Sequence, residues 1–416
     1  MRLPVLTALF ASAALPLLAA TPEEVAKTYT DIAAATFGDS LTTGKALQSA
    51  VAALIAAPSD ETLNAARTAW IAARVPYQQS EVFRFGNPIV DDWEGKVNAW
   101  PLDEGLIDYV DASYGKSEEN PLSTLNIIAT PSFTLSGKQI DASTLTPAFI
   151  ADTLHEVDGI EANVASGYHA IEFLLWGQDL NGTGPGAGVR SFTDYAVGAD
   201  CTNGNCDRRA AYLQSATDLL VTDLEFMAAQ WADGEAKATI LADPKAALSA
   251  MLTGMGSLSY GELAGERMRL GVMLNDPEEE EDCFSDNTYN SHYYDGIGIR
   301  NVYTGSYTRV DGSVVSGPSL SELVAGLDAG VDTQLRAELD ASVAALGKVK
   351  SAAEAGMAYD QMLAAGNAEG EALIMGAVAA LVTQTASINR AVTTLGLAEA
   401  AFEGSESLDN PDAVFQ

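Results

Sequence analysis

Basic residues are scarce in this chain. Only 22 lysines and arginines stand against 57 aspartates and glutamates, and the formal net charge is −35. A field of that sign repels nucleic acid and anionic lipid surfaces and concentrates cations. We therefore expect no nucleic-acid partner, and the plainest role of the bulk charge is solubility.

Cysteine is nearly absent as well. Cys201, Cys206 and Cys283 lack the CxxC spacing that zinc and iron–sulfur sites use, so such a site is not expected. An exported chain can oxidise one pair, but the sequence leaves open whether Cys201 pairs with Cys206 or Cys283 pairs with either. One thiol is left over in every case.

Histidine is equally rare, with only His155, His169 and His292 in the whole chain. Neither HExxH nor HxxEH occurs, which excludes the two zinc-peptidase motifs, and Phe173 stands where the second motif would place its last histidine. If one helix joined His155 to His169, about 20 Å would separate them, too far to share an ion. A metal site at His169 must therefore draw its other ligands from distant segments.

Long apolar runs are missing after the first twenty residues. The most hydrophobic later stretch, Ala372–Val382, is too short to span a bilayer. Residues 1–20 combine Arg2, an apolar stretch and small residues at the end, which is the pattern of a secretory signal peptide, and no cysteine follows to carry a lipid. We expect an exported protein, periplasmic or at the cell surface, soluble after cleavage and without a lipid anchor.

Apolar residues recur at helical spacing through most of the chain, which predicts an all-α fold. The chain is too long for a single core, so we expect two helical-bundle domains packed together, with long ordered loops. They span residues 21–190, which carry the HxxE motif described below, and 191–405, ahead of a flexible tail at 406–416; the glycine-rich stretch 182–188 is the candidate linker. The predicted helices are Glu23–Phe37, Leu41–Ala56, Ser59–Arg84, Asp207–Trp231, Pro244–Leu274, Ser319–Ala345, Lys348–Ala364 and Gly370–Thr394.

Two long segments, Phe83–Asp111 and Asn275–Gly317, are predicted to be loops. Their aromatic content indicates order, and long ordered loops are often functional. The second segment carries the acidic run Glu278–Asp282, whose composition is typical of a solvated turn. The alternative is that these residues form the edge of a site and attract metal ions to it. It lacks the DxDxDG pattern of an EF-hand.

One imidazole and one carboxylate, His169 and Glu172, stand three residues apart inside the apolar run GYHAIEFLLWG (167–177). On a helix they share a face, about one turn apart, and could grip one metal ion or proton. An imidazole with carboxylate oxygens suits iron, manganese, calcium or magnesium at least as well as zinc. The alternative is a buried pair that only satisfies itself.

Five motifs stand in order along nearly the whole chain after the N-terminal segment. They are EVFRFG (81–86), NAWPLDE (98–104), GYHAIEFLLWG (167–177), GELAGERM (261–268) and CFSDNT (283–288). This set resembles the imelysin family, and the last two motifs resemble its iron-regulated protein A branch. The resemblance implies an exported or surface bacterial protein of two helical bundles, with the GxHxxE motif near the domain interface. It also implies a link to iron acquisition and a peptidase label.

We expect His169 and Glu172 to be metal ligands. A metallopeptidase would use Glu172 as base or ligand, but peptide hydrolysis needs further metal ligands that the sequence does not reveal. Binding of a metal ion, metal chelate or small ligand is therefore favoured over a metallopeptidase. Iron is the expected metal, with zinc, manganese and calcium as alternatives, and a membrane iron-uptake component is a candidate partner. The other candidate site residues are Glu81, Arg84, Trp100, Asp103, Glu262, Glu266, Arg267 and His292.

Most of these candidates also have a purely structural explanation. Acidic and basic members close in sequence can pair on one helix surface, as Glu81 can with Arg84. Asp103 can cap a short helix, Glu104–Val110. Trp100 can pack in the core. His292 is the best remaining imidazole for a completing ligand.

Overall fold

The computed structural model describes residues 20–117, 119–398 and 400–415, and these residues form a helical protein. The predicted all-α fold is confirmed. The α-helices are α1 (Pro22–Ala56), α2 (Asp60–Gln78), α3 (Pro88–Asn98), α4 (Glu104–Ile107), α5 (Pro147–Phe149), α6 (Gly167–Trp176), α7 (Cys206–Ala232), α8 (Glu235–Ala242), α9 (Pro244–Ser257), α10 (Leu270–Leu274), α11 (Thr288–Thr304), α12 (Leu320–Leu327), α13 (Ala329–Glu354), α14 (Tyr359–Leu363), α15 (Ala368–Thr394) and α16 (Glu406–Asp409).

Shorter elements connect these helices. Two antiparallel hairpins pair β1 (Ser132–Leu135) with β2 (Lys138–Asp141) and β3 (Ser306–Thr308) with β4 (Val314–Ser316). Leu258–Arg269 is a π-helical stretch, here called the π segment, that joins α9 to α10. The remaining short helices are Glu81–Phe83, Ile150–Leu154, Val157–Gly159, Phe192–Tyr195, Gly198–Asp200, Pro277–Glu279 and Pro411–Phe415.

Helix α1 begins at a capping box and runs without interruption. Thr21 accepts a hydrogen bond from the Glu24 amide, and the Glu24 carboxylate accepts one from the Thr21 amide. The sequence predicted a break near residue 39, which is wrong. Thr36 and Ser40 donate their hydroxyls to carbonyls four residues back, so their polar groups are satisfied within the helix.

The helices pack as two groups, around one main hydrophobic core and a second, smaller one formed by α13, α14, α15 and the π segment. Helix α1 lies against α2 and α7, and α6 packs between α2, α3 and α7. In the second group α13 and α15 pack together, with α11 and the π segment on their sides. Helix α7 lies beyond residue 190 in the sequence, yet it packs with α1. The main hydrophobic core joins residues from Val25 to Val392.

Both predicted long loops contain helices, and this part of the prediction is wrong. The first contains α3 and α4, and the second contains α11 and the β3–β4 hairpin. The glycines in α11 allow close packing. A side-chain carbon at Gly298 would lie 2.7 Å from the Gln79 carbonyl oxygen, and one at Gly296 would lie 2.5 Å from the Leu346 side chain.

The N-terminal segment lies almost entirely outside the described residues, whereas the C-terminal segment packs on the π segment. The predicted signal peptide lies outside the described residues except for Ala20. Residues 406–415, predicted as a flexible tail, are helical; the Ser407 hydroxyl donates to the Gly265 carbonyl, and Tyr260 donates to Asp409 across 2.7 Å. Helix α15 is long and apolar enough to cross a membrane by composition alone, but one side of it packs on α13 and the π segment, as a bundle helix does.

Candidate metal centre

The HxxE motif lies on α6, a ten-residue helix in which every residue is buried. The helix begins at Gly167, where φ is +82° and an added Cβ would lie 2.4 Å from the Val97 carbonyl oxygen. Glycine is therefore required there by both conformation and space. Gly177 ends the helix with φ of +73°. The two glycines that frame the motif fix where α6 starts and stops against α3.

His169 and Glu172 share one face of α6, as the spacing predicted. The His169 Nδ1 atom lies 3.2 Å from Glu172 Oε2, and both side chains are fully buried. The other ring nitrogen, Nε2, has no hydrogen-bond partner. A buried nitrogen without a partner is unfavourable unless something else satisfies it, and a metal ion would do so.

Two further carboxylates complete the site, Glu281 and Asp282. With His169 they form a buried trio in which one ligand atom from each residue lies within 4.8 Å of the others. Asp282 Oδ1 lies 3.7 Å from His169 Nδ1 and, like Nε2, makes no hydrogen bond. The sequence treated Glu278–Asp282 chiefly as a solvated turn and named neither residue as a ligand. The available signal was the adjoining CFSDNT motif, which marked this segment but not its burial.

Buried arginines neutralise part of this charge. Arg74 Nη2 lies 2.6 Å from Glu281 Oε1 and 2.8 Å from Asp282 Oδ1. Arg267 Nη1 lies 2.9 Å from Glu281 Oε2, and its Nη2 lies 2.9 Å from Glu81 Oε2. Arg74 was not among the predicted site residues. In sequence it looks like any helix arginine, and only the packing of α2 against the acidic run places it in the centre.

The negative charge nevertheless exceeds the positive charge. Two buried guanidiniums, of Arg74 and Arg267, serve five buried carboxyl groups: Glu81, Glu172, Glu281, Asp282 and Asp295. Uncompensated charges in a low-dielectric interior either take up protons or bind a cation. The centre therefore has an excess of carboxyl groups, which protons or a bound cation must offset.

The protonation states differ among these side chains. Burial, followed by the positive charge of Arg74, lowers the pKa of His169 to about 3, so its ring is neutral and keeps a lone pair for a metal. Burial opposes ionisation of Asp282, but Arg74 and the hydrogen bonds from Ser291 and Asn287 outweigh it and lower its pKa. Burial raises the pKa of Glu281 to about 7, although Arg267 and Arg74 oppose that rise. Burial and the charge of Asp282 raise the pKa of Glu172 well above its usual value.

Ser285 fixes the position of Glu172. Its amide and its hydroxyl both donate to Glu172 Oε1, over 2.9 Å and 2.7 Å. Asn287 donates to Asp282 Oδ2 across 3.0 Å, and Ser291 donates to the same oxygen. These neighbours leave His169 Nε2 without a hydrogen-bond partner, while Asp282 Oδ1 lies 2.8 Å from Arg74 Nη2.

A cleft of about 480 Å³ reaches the centre at His169 and Glu281. Arg84, Trp100, Glu262, Glu266 and Arg267, all named from the sequence, line this cleft, with Glu94, Glu156 and Glu161 beside them. The π segment supplies three of these side chains, and such irregular helix is frequent at functional sites.

The other predicted site residues lie elsewhere or are engaged. Glu81 pairs with Arg267. Asp103 precedes α4, now Glu104–Ile107, but makes no capping bond; it accepts hydrogen bonds from Tyr114 and Asn120 instead. His292 is buried edge-on to Tyr359 and does not belong to the trio.

His155 also stays apart from the centre. Its Nε2 lies 3.0 Å from the Gly95 carbonyl oxygen, and its Nδ1 accepts from the Ala165 amide across 3.2 Å. The chain turns at Val157–Gly159 rather than continuing as a helix to His169.

The cysteine pairing that the sequence left open is settled by the structure. A disulfide joins Cys201 to Cys206, which leaves Cys283 as a free thiol.

The family model for imelysin matches residues 33–388, which is most of the chain. The chain belongs to the imelysin family. Solved imelysin-like structures share its fold. One, named as an iron-regulated protein A precursor from Parabacteroides distasonis ATCC 8503, is 20% identical, covers 92% of this chain and 97% of its own, and superposes with a TM-score of 0.64.

A second solved structure is an imelysin-like protein from Psychrobacter arcticum 273-4. It is 14% identical, covers 93% of this imelysin and 100% of its own chain, and has a TM-score of 0.57. No curated protein matches the chain. At these sequence identities, the similarity to the two solved structures concerns the fold alone.

Proposed function

We propose that this imelysin is an exported protein that binds a metal ion, iron first, in the buried centre around His169, and that it serves iron uptake by passing its cargo to a membrane component. The observation that carries the proposal is the buried trio of His169, Glu281 and Asp282, in which His169 Nε2 has no hydrogen-bond partner. Glu172, set by Ser285, would act as a fourth ligand or as the partner that orients the imidazole.

The donor set supports iron rather than a soft metal. One neutral imidazole and several carboxylate oxygens are the ligands that ferrous iron and manganese accept, while zinc and calcium remain the alternatives. A bound ion would supply positive charge to the excess of buried carboxylates. The cleft leaves room beside the ion for a chelate or small ligand, in contact with Trp100 and Arg84.

Two features support export. Residues 1–20 have the signal-peptide pattern. The Cys201–Cys206 disulfide suits an oxidising compartment. Recovery of protein that begins near residue 21 from a periplasmic extract or the cell surface is the expected result, and a cytoplasmic protein that keeps Met1 would contradict it.

Metal content tests the central proposal. Protein purified without a metal-affinity tag or chelator should carry, or take up, about one metal ion per centre, measured by elemental analysis after titration with Fe²⁺ under anaerobic conditions. His169→Ala should abolish this uptake, and Glu281→Gln, which keeps the side-chain shape, should weaken it strongly. His155→Gln is the matched control, because the His155 ring hydrogen-bonds backbone groups and Ser166 and does not belong to the trio.

Circular dichroism and cooperative melting must remain in the variants for the comparison to count. Unchanged Fe²⁺ stoichiometry in folded His169→Ala and Glu281→Gln would refute the assignment of this centre.

The peptidase label of the family has less support here. A general base must reach a water beside the substrate. Glu172 is fully buried, does not line the cleft, and has both oxygens occupied by Ser285 and His169. Cleavage of an unfolded polypeptide by the iron-loaded protein, lost in Glu172→Gln, would reverse this preference.

A further inference from the structure

A second cluster of carboxyl groups lies on the other side of the acidic run. Glu104, Asp179, Glu278, Glu280 and Asp360 line one small cavity together with Cys283. These residues come from four separate parts of the chain, so the cluster is a product of the fold rather than of one charged segment. It contains neither His169 nor Asp282 and is distinct from the metal centre.

Two members of the cluster are buried and lack partners. Glu280 is 1% exposed and Asp360 is 2% exposed. Oε2 of Glu280 and both carboxyl oxygens of Asp360 make no hydrogen bond. Buried oxygens that face a cavity without donors call for a ligand that accepts oxygen coordination.

Among the described residues, no lysine, arginine or histidine forms an ion pair with Glu104, Asp179, Glu278, Glu280 or Asp360. The metal centre, by contrast, is served by two arginines. Protons or a cation must therefore supply the missing positive charge.

The shape of the cavity selects among cations. Its volume is about 20 Å³, enough for one water-sized particle. Its carboxylates are spaced more widely than those of the trio, because no three of their ligand atoms lie within 4.8 Å of one another. Ca²⁺ suits such a site, because it is a hard cation that takes carboxylate oxygens in flexible geometry.

We propose that this cavity is a second cation site that takes Ca²⁺, with Glu280 and Asp360 as direct ligands and Glu104, Asp179 and Glu278 as surrounding carboxyl groups whose negative charge favours the ion. The ligand atoms are oxygens, and the Cys283 thiol is a neutral wall of the cavity. The site would tie α14 and α4 to the segment that carries Glu281 and Asp282. It is independent of the proposed iron centre.

Calorimetric titration of chelator-treated, dialysed protein with CaCl₂ in physiological salt tests the proposal. The expected result is one saturable Ca²⁺ site that persists in His169→Ala, where the first centre is disabled. It should disappear in Glu280→Gln/Asp360→Asn. A parent protein without a saturable site, or a double variant that retains it, would overturn the proposal.

Matched controls separate a built site from diffuse attraction to an acidic protein. Asp200→Asn/Glu371→Gln removes the same charge from two exposed positions and should leave Ca²⁺ binding unchanged. Cys283→Ser should also leave it unchanged. Loss of Ca²⁺ binding in the first control would mean nonspecific attraction, and loss in the second would mean a thiolate ligand; either outcome refutes the oxygen site.

Stability gives an independent readout of the same variants. The double variant removes mutually repelling buried carboxylates, so without Ca²⁺ its melting temperature should be equal to or above that of the parent. Ca²⁺ should raise the melting temperature of the parent and not that of the double variant. If the double variant fails to fold, the single variant Asp360→Asn answers the same question, and an undiminished Ca²⁺ shift in that variant would contradict the proposal.

Discussion

Two acidic clusters lie on opposite sides of the segment 280–283, and they differ in what faces them. Glu281 and Asp282 face two arginines and a histidine, whereas Glu280 faces Asp360 and other carboxyl groups. The residues are adjacent in sequence and alike in type. Their ionisation and ligand chemistry therefore depend on the elements that fold against them and not on the run itself.

The largest effect is expected from removing the cation that distinguishes the first cluster. Arg74→Met should lower the free energy of unfolding by about 3–5 kcal/mol, because it leaves Asp282 and Glu281 buried beside one guanidinium fewer. Urea unfolding followed by circular dichroism measures this change. Arg84→Met, at a partly exposed arginine, is the matched control and should cost about 1 kcal/mol or less. Equal losses in the two variants would show that the arginines do not set the clusters apart.

Metal addition should affect the two clusters separately. Fe²⁺ at 100 times its dissociation constant should stabilise the parent by about 2.7 kcal/mol, if it binds only the folded state. His169→Ala should lose this stabilisation and keep the response to Ca²⁺. Thermal unfolding under anaerobic conditions measures both. A single variant that abolishes both responses would mean that the clusters form one site.

A smaller effect is expected at the residue that positions Glu172. Ser285→Ala removes a hydroxyl that donates to Glu172 Oε1 across 2.7 Å but leaves the amide bond in place. Affinity for Fe²⁺ should fall about tenfold to a hundredfold, as for other residues that orient metal ligands. Competition with a fluorescent chelator measures it. Ser313→Ala, in an exposed turn, is the control, and unchanged affinity in both variants would leave Ser285 without this role.

The smallest effect is the response of the second cluster to pH. Burial raises the pKa of Glu278 to about 7 and that of Asp360 to about 6, above their unfolded values. Groups with raised folded-state pKa values contribute stability at low pH that is lost as the pH rises through those values. Without metal, the melting temperature should therefore rise by a few degrees from pH 8 to pH 5.5.

Asp360→Asn should flatten this pH profile, and saturating Ca²⁺ should do the same by replacing the protons. A profile that is identical in the parent and in Asp360→Asn would show that Asp360 does not titrate in this range.

The sequence predicted the class of fold and the shared helix face of His169 and Glu172, because both follow from local periodicity. Helical spacing placed His169 and Glu172 on one face. The lining residues Trp100, Glu262 and Arg267 followed from motifs whose resemblance pointed to one family. These features depend on residues that are close together in the chain.

The rest depended on distant contacts. Arg74, Glu281 and Asp282 are far apart or look solvated in sequence, and only the packing of α2 and α6 against the acidic run buries them together. Helix α11 was missed because its glycines break the usual pattern, although they serve close approach to Gln79 and Leu346. Asp103 was expected to cap α4, but Tyr114 and Asn120 compete for its oxygens.

Helix α1 has a consequence for how a ligand could enter and leave. At 35 residues it is about 52 Å long, and it packs on α2, α7 and α9 and on both strands of the β3–β4 hairpin. Helix α9 in turn packs on α15 and continues into the π segment, so α1 is tied through α9 to the second group of helices, which opposes a hinge between the groups. We expect exchange at the cleft to proceed by side-chain rearrangement on fast timescales rather than by slow opening of the two halves.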